Sequence, residues 1–402
     1  MCVGETVGFP GVHGDGSSVV RPSGLRVLAL VTEAFGGRGG IAQYNRDFLS
    51  ALARCDRVGD VIVLPRFSAR SVRTLAPGIR QLRPVESKIG YSLNALWTAI
   101  TQQPIDIVFC GHLNMAQLAA GICKVLNVPL WLQVHGVEVF WRKLTALERR
   151  SVESATIVTS VSRHTRRRLL HCVGIDPSRV KVLSNTVDLQ YRPGPKPNYL
   201  LDRHAASGKK VLMTVSRLSN FDRYKGHDRV IRILRRLLEQ HPETIYLIVG
   251  DGENRPRLEK LAVEYQVAKS VQFAGLVTPE ELPDYFRLAD VFVMPSTCEG
   301  FGIVFLEAMA TGIRVIGGNK DGSRDPLCDG ELGTLVDPES DEQLASAILA
   351  ALDDPARTDD RSGRFKPEAF REYVNALHHF FSVQSCHSVA TQMVLQREET
   401  AA

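Results

Sequence analysis

Short apolar runs alternate with amphipathic stretches along most of the chain, and the alternation runs through twice. Leu25 to Val31 (Leu-Arg-Val-Leu-Ala-Leu-Val) predicts a first strand, and Ile41 to Leu52 a helix after it. Further strands are expected at 60–64, 105–110, 130–134, 155–161 and 180–183, with helices at about 90–103, 115–126, 141–153 and 163–172. Runs this short and this apolar fit strands buried on both faces, in a parallel sheet flanked by helices. The pattern restarts with strands at 210–215, 245–249, 270–273, 289–295 and 314–316, and helices at 227–240, 255–265 and 279–288. The fold class is therefore α/β, with two doubly wound Rossmann-like domains facing each other across a cleft.

Between the two halves, Arg192-Pro193-Gly194-Pro195-Lys196-Pro197-Asn198 has prolines at alternate positions and predicts a stiff, exposed connector. The division that follows is a loose tail at 1–24, a first domain at 25–190, a Pro-rich linker at 191–208 and a second domain at 209–366. A helix at 367–384 and a tail at 385–402 complete it. A chain of 402 residues is long enough for two such domains, and 44% apolar with 23% charged residues is an ordinary globular composition.

The net charge of +5 does not call for nucleic acid and suits an anionic small molecule or surface. The 8 cysteines form no Cys-x-x-Cys pair, which argues for reduced thiols rather than a disulfide frame or zinc site, and Cys298 is expected to pack. No apolar run reaches the ~18 residues of a membrane span, and the N-terminus lacks a basic-then-apolar signal. A cytoplasmic protein is expected, with peripheral contact to an anionic inner membrane face as the most it would make. For that contact the candidates are Arg142, Lys143, Arg149, Arg150, Arg163, His164, Arg166, Arg167 and Arg168, whose alternative is a solvated helix face.

Candidate chemistry concentrates at Glu299 to Met309 (Glu-Gly-Phe-Gly-Ile-Val-Phe-Leu-Glu-Ala-Met), where a strand end leads into a helix. Free N–H groups and a positive dipole end at Gly300 to Ile303 favour an anion there. Glu299 and Glu307 stand about two turns apart, so both can reach one cleft. Neither is near a Cys/His cluster, which makes sugar hydroxyls better partners for them than a metal. Arg217 ends the strand at 210–215 and Lys225 opens the next helix, a planar fork and a point charge suited to a diphosphate. No Asp-x-Asp occurs to hold a metal on such a group, so the two cations matter more. Gly250-Asp251-Gly252-Glu253 turns after another strand, lining a base pocket or serving only the turn.

In the first half, Gly36-Gly37-Arg38-Gly39-Gly40 separates strand from helix, and Gly37-x-Gly39-x-x-Ala42 matches a dinucleotide fingerprint. That fingerprint also requires an acid at the end of the second strand, where Pro65-Arg66 stands instead. Close passage of a substrate or of the facing domain is the better use of these glycines. His112 and His135 both follow strand ends, and Gly136 leaves the His135 backbone open to approach.

Together, Ser216-Arg217 with Lys225-Gly226-His227, Val249-Gly250-Asp251-Gly252, Pro295-Ser296-x-x-Glu299-Gly300-Phe301-Gly302 and Glu307-Ala308-Met309-Ala310 resemble the retaining glycosyltransferase family 4 with the GT-B fold. The resemblance covers most of residues 25–365. It implies that the second domain binds a nucleoside-diphosphate sugar, with Arg217 and Lys225 on the diphosphate and Glu307 on the ribose. Glu299 and His135 would hold the transferred sugar, with Gly300, Phe301, Gly302, Gly250 and Gly252 also on the donor side. Gly39 and Gly40 match the loop where acceptor and diphosphate meet. The donor would be a co-substrate, with no metal and no other cofactor. The resemblance further implies front-face attack with retention, the leaving phosphate taking the acceptor proton, and a helix at 367–384 crossing back to the first domain. Two departures stand out: Ser-Asn-Phe-Asp-Arg-Tyr is inserted before Lys225, which brings in Arg223, and Gly317 to Asp325 differs from the family's Gly-Gly-x-x-Glu loop.

The expected function is transfer of a hexosyl group, of mannose or glucose type, to a sugar or lipid-linked glycan acceptor in envelope or exopolysaccharide biosynthesis. Two alternatives share the architecture. A nucleotide-sugar epimerase would need acid and base carboxylates that the sequence does not single out. A non-catalytic sugar-binding relative would be expected to lack Arg217, Lys225 or Glu299, and all three are present.

Overall fold

The computed structural model describes residues 24–55, 58–70, 72, 75–140, 142–188 and 190–354. The expected tail before residue 24, the helix at 367–384 and the tail at 385–402 lie outside the described residues. Seven strands form the first sheet: β1 (Leu25–Val31), β2 (Val58–Pro65), β3 (Ile79–Gln81), β4 (Ile107–Cys110), β5 (Leu130–Val134), β6 (Ile157–Ser160) and β7 (Val180–Val182), in the order 3-2-1-4-5-6-7. Six more form the second: β8 (Lys210–Val215), β9 (Thr244–Val249), β10 (Val271–Gly275), β11 (Val291–Met294), β12 (Arg314–Gly318) and β13 (Thr334–Val336), in the order 10-9-8-11-12-13. Among the described residues every strand ladder is parallel, apart from an isolated antiparallel bridge between Gly250 and Gly275. The expected α/β class with two doubly wound Rossmann-like sheets holds.

Successive strand side chains point to opposite faces, which is why each buried run serves two cores. In β1, Val27, Ala29 and Val31 join one cluster while Leu28 and Leu30 join another. In β11, Phe292 and Met294 join the first of these, and Val291 and Val293 a third. The first cluster spans both domains: Tyr44, Phe48 and Trp131 from one side are continuous, through Leu183, Val187, Tyr191 and Leu200, with Val211, Phe292 and Phe305 on the other.

The linker is exposed or half-buried at 192–198, and it is anchored on either side. Tyr191 and Leu200 are buried in that shared cluster, Asn198–Arg203 is helical, and Lys196 pairs with Asp290 at 2.7 Å. Two apolar anchors and one ion pair fasten the connector that proline content predicts to be stiff and exposed. The helix expected at 141–153 also starts later, at Ala146–Glu153, because Thr145 and Glu148 form a reciprocal cap there. Short edge strands β3 and β13 and the helix Asp341–Asp353 extend the pattern that the sequence indicated.

Much of the basic stretch is engaged within the protein. Arg163 meets Asp325 at 2.9 Å and Asp329 at 2.9 Å, both in the second domain. Arg166 donates to the Val180 and Pro177 carbonyls, Arg168 to the Phe140 carbonyl, and Arg142 forks onto Glu148.

Beneath the cleft, Gln133 lies fully buried in β5 and accepts from Tyr44 Oη at 2.7 Å and Thr159 Oγ1 at 2.5 Å, while Trp131 Nε1 donates to Thr159 at 2.9 Å. Gln133→Leu would remove the buried acceptor that the Tyr44 and Thr159 hydroxyls share, at about 1–3 kcal/mol. Urea unfolding followed by tryptophan fluorescence is expected to show a lower midpoint with an unchanged slope; an unaltered midpoint would dismiss the network as a stabilising element.

Candidate active site

Both sheets reverse their strand order at a central point, between β1 and β4 in the first and between β8 and β11 in the second. Ligands of open α/β sheets lie beyond the carboxyl ends of strands at such points. The sequence-selected residues fall there: Gly39 and Gly40 after β1, His135 after β5, Arg217 and Lys225 after β8, and Glu299 to Gly302 after β11.

Lys225 closes the turn Asn220–Lys225, and Gly226 follows with φ 82°. A Cβ on Gly226 would stand 2.6 Å from the Pro295 carbonyl oxygen, so only glycine lets this turn lie against the end of β11. Lys225 Nζ thereby reaches Glu299 Oε2 at 2.7 Å, in an ion pair whose side chains are 15% and 14% exposed. The Gly300 N–H donates to the other Glu299 oxygen at 3.1 Å. The Glu299 N–H donates to Asp321 Oδ2 at 2.6 Å, and Asp321 also accepts from Ser296 Oγ at 2.7 Å and from the Ser323 N–H at 2.9 Å. Burial pushes the Asp321 carboxyl up to about 6, against the pull of those donors. Asp321 is a supporting residue that the sequence reading passed over; its signal was the Asp-x-Ser spacing of a side chain that caps its own turn.

The cation pair expected from Arg217 and Lys225 is only half assembled. Arg217 is 81% exposed and touches Asp222 at 3.3 Å, whereas Lys225 is enclosed on Glu299. Arg223 is also exposed and donates to Asn220. The inserted residues form the turn Asn220–Lys225, and that turn separates the three cations.

The glycines divide by role. A Cβ on Gly300 would stand 2.2 Å from the His135 carbonyl oxygen, and one on Gly322 2.1 Å from the Gly300 carbonyl oxygen. The turn at Glu299 and Gly300 is thus threaded between the first domain and the 321–325 loop at backbone distance. The Thr165 hydroxyl adds a hydrogen bond to the Gly300 carbonyl at 3.3 Å. Gly302, with φ 82°, starts the helix Ile303–Ala310, while Phe301 is buried in the shared core. A Cβ on Gly250 would meet the Ser216 carbonyl oxygen at 1.8 Å, and one on Gly252 the Leu218 carbonyl oxygen at 2.5 Å. Close strand-end packing accounts for both, so a direct donor contact is not needed to explain them. Gly40 faces the Ile303 side chain, 3.6 Å from where its Cβ would be, which brings the glycine loop to the start of the helix Ile303–Ala310.

His135 is buried, and its Nε2 lies 3.0 Å from the Gly111 carbonyl oxygen. A carbonyl only accepts, so Nε2 carries the hydrogen, and burial pushes the imidazole down to about 4. The ring is therefore neutral at physiological pH with Nδ1 as an acceptor. Glu138 receives the His135 N–H and stands 3.7 Å from His112 Nε2. Burial opposes its ionisation, but the two histidines and the N–H donors outweigh that and hold its carboxyl below the usual range. His112 instead caps the turn Leu113–Met115, its Nδ1 accepting from the Asn114 N–H. Cys298 is half-buried, with its thiol pushed up by burial to about 12, in keeping with a packing role.

Glu307, the second carboxylate expected in the cleft, is enclosed. It is 3% exposed and hydrogen-bonded to Tyr191, with Asp188 and Asp47 as its charged neighbours; burial pushes it up to about 7. The helix Ile303–Ala310 carries it beside Tyr191 of the linker.

Among the described residues no group of three or more metal-binding side chains clusters, and no helix is long and apolar enough to cross a membrane. Residues 202–371 match the Glycosyl transferases group 1 family, and residues 38–191 match Glycosyltransferase Family 4. A GDP-mannose-dependent alpha-(1-6)-phosphatidylinositol monomannoside mannosyltransferase of Mycolicibacterium smegmatis is 30% identical, over 82% of this chain and 90% of the relative. The monoacylated-acceptor counterpart from Corynebacterium glutamicum is 26% identical over 83% and 91%. Among solved structures, Anabaena HepE in complex with UDP and glucose superposes with a TM-score of 0.70 at 18% identity, covering 91% of this chain and 99% of that one. Sucrose-phosphate synthase from Thermosynechococcus elongatus gives 0.69 at 21% identity, over 94% and 100%. With matches spanning both domains and the two-sheet architecture in agreement, the chain belongs to glycosyltransferase family 4 and has the GT-B fold.

Proposed function

We propose that the protein transfers a hexosyl group, mannosyl before glucosyl, from a nucleoside-diphosphate sugar to a lipid-linked glycan acceptor, with retention of anomeric configuration and without a metal. The observation that carries this reading is the enclosed Lys225–Glu299 pair at the β8/β11 reversal, with the His135 carbonyl against Gly300 and Gly40 against Ile303. The mannosyl and lipid parts rest on the relatives named for GDP-mannose and phosphatidylinositol monomannoside.

In this reading a donor diphosphate draws Lys225 partly from Glu299 and recruits Arg217, which is free to swing from its exposed position. The backbone N–H groups at the start of the helix Ile303–Ala310 add to the same anion site. Glu299, released toward the sugar, and the neutral His135, through Nδ1, accept sugar hydroxyls. Glu307 exchanges its Tyr191 partner for the ribose. The bond between sugar C1 and the phosphate oxygen breaks as the acceptor oxygen bonds to C1 on the same face. The acceptor proton passes to the departing phosphate, so no protein base is required. Lys225 and Arg217 take up the charge that accumulates on that phosphate.

Thermal stabilisation by GDP, UDP and ADP and their sugars, in EDTA, tests the donor site. At 100 times its dissociation constant a ligand adds about 2.7 kcal/mol, and the guanine series is expected to do so. Silence from all three bases would remove the donor assignment, and a response only after adding a divalent ion would remove metal independence. Lys225→Ala is expected to fold, at a lower melting temperature because Glu299 is left without its cation, and to lose transfer by about 100-fold or more; full activity in the folded variant would refute its phosphate role.

Gly300→Ala should separate the domains, because its new methyl overlaps the His135 carbonyl. A larger radius of gyration by small-angle scattering and a fall in kcat are expected, and an unchanged radius with normal kcat would mean the contact is dispensable.

Glu307 makes a pH prediction whose sign is opposite to that of an ion-paired acid. Its folded value of about 7 lies above the ordinary 4.5, so the folded state holds the proton longer than the unfolded chain does. Stability from this group is full below 4.5 and is lost as pH rises through 7, by up to about 3 kcal/mol. His135 and His227, both lowered by burial to about 4, act the other way below pH 6.5. Comparison with Glu307→Gln isolates the effect: the variant should gain on the native protein between pH 5 and pH 8, and parallel curves would show that Glu307 does not titrate in that window.

A further inference from the structure

The helix Lys88–Thr101 is apolar on both sides. Tyr91, Ala95, Thr98 and Ala99 face the sheet and are buried, while Ile89, Leu93, Leu96, Trp97 and Ile100 are exposed, Ile89 by 77% and Trp97 by 67%. At 3.6 residues per turn the five exposed side chains fall within an arc of about 100°, opposite the buried stripe, in a strip ~16 Å long. A helix lying only against solvent carries polar residues on that side. A contiguous strip of large apolar side chains marks an interaction surface instead.

Its surroundings indicate the partner. The helix Ala116–Leu126 packs beside it and adds exposed Lys124 and Val125; the helix Ala146–Glu153 packs next and adds Leu147, Arg149 and Arg150, with Lys143 just before it. Arg83 and Lys88 stand at the near end of the strip, with Glu86 between them. The helices Lys88–Thr101 and Ala116–Leu126 contain no acidic residue. Of the acids on the third helix, Glu148 is engaged by Arg142 and Thr145, and Glu153 by the Gly174 N–H. Apolar strip and cationic rim therefore occur together on one helical layer of the first domain. A second copy docking face to face would set like charges against one another, whereas an anionic lipid surface complements both features.

We propose that this layer docks on an anionic bilayer, with Ile89, Leu93, Leu96, Trp97 and Ile100 entering the headgroup and acyl boundary and the lysines and arginines meeting lipid phosphates. This replaces the basic stretch as a whole as the contact, since Arg142, Arg163, Arg166 and Arg168 are held within the protein. Its use rests on the reading of the acceptor as a lipid: a docked first domain would present the Gly39 and Gly40 loop to a glycan rooted in the same membrane.

Sedimentation of the full chain with phosphatidylcholine vesicles, with and without phosphatidylglycerol, tests the docking in the absence of any donor. Binding is expected with the anionic vesicles, accompanied by a blue shift of Trp97 emission. Leu93→Gln with Trp97→Gln should weaken binding about tenfold or more at an unchanged melting temperature, since neither side chain is buried. Arg149→Gln with Arg150→Gln should weaken it less and reduce its salt dependence. Full-strength vesicle binding by the Leu93/Trp97 variant, or equal binding to neutral and anionic vesicles, would overturn the proposal. So would a solution dimer that the same two substitutions dissociate, because the strip would then belong to a second copy. Transfer to a detergent-solubilised acceptor is measured separately, so a failure of docking and a failure of the transferase reading give different results.

Discussion

Everything at this site depends on how closely two backbones approach at Gly300. The His135 carbonyl presses on it from the first domain, and the 321–325 loop presses from below through Gly322. Side chains with a Cβ at either glycine would hold the layers apart by more than an ångström, so the absence of two methyl groups is what permits the closed cleft. Thr165 on the Gly300 carbonyl and Arg163 on Asp325 then fasten the contact from the side. Neither domain could complete this arrangement alone, because the turn at Gly300 comes from one and its opposing wall from the other.

The electrostatics follow from that enclosure. Lys225 and Glu299 are both largely withdrawn from water, and a pair so placed adds little net stability, because desolvation offsets its attraction. Its value is positional: each charge is held in place by the other until something competes for it. Asp321 behind them gives up its own solvation to orient the Glu299 backbone, which explains a carboxyl pushed up to about 6 despite three donors.

His135 and Glu138 make a similar arrangement on the facing wall. Donation from Nε2 to Gly111 settles the tautomer, burial keeps the ring neutral, and Glu138 anchors the histidine's own N–H. The two walls thus differ in kind. One offers a paired charge that can be redistributed, and the other an uncharged acceptor that holds its orientation.

The chain's alternation of short apolar runs and amphipathic helices determined the two-sheet architecture by itself, since continuous apolar runs this short suit a strand buried on both faces and are too short for a buried helix. The same reading located β1, β5, β8 and the helices Arg163–Cys172 and His227–Gln240 at their observed bounds, and it brought Lys225, Glu299, Gly300 and His135 to strand ends. Short edge strands escaped it, because three residues such as Ile79–Gln81 carry too little pattern to register. Side-chain direction escaped it as well. Spacing along one helix could not say that Glu307 would rest on Tyr191, and whether Arg217 points outward depends on how the inserted turn folds around Asp222. The exposed strip on Lys88–Thr101 was hidden for a related reason: its sequence is apolar all round, and only packing against the sheet shows which half is buried and which is left facing out. Local composition decides what a segment becomes, whereas contacts between segments far apart in sequence decide which of its faces does chemistry.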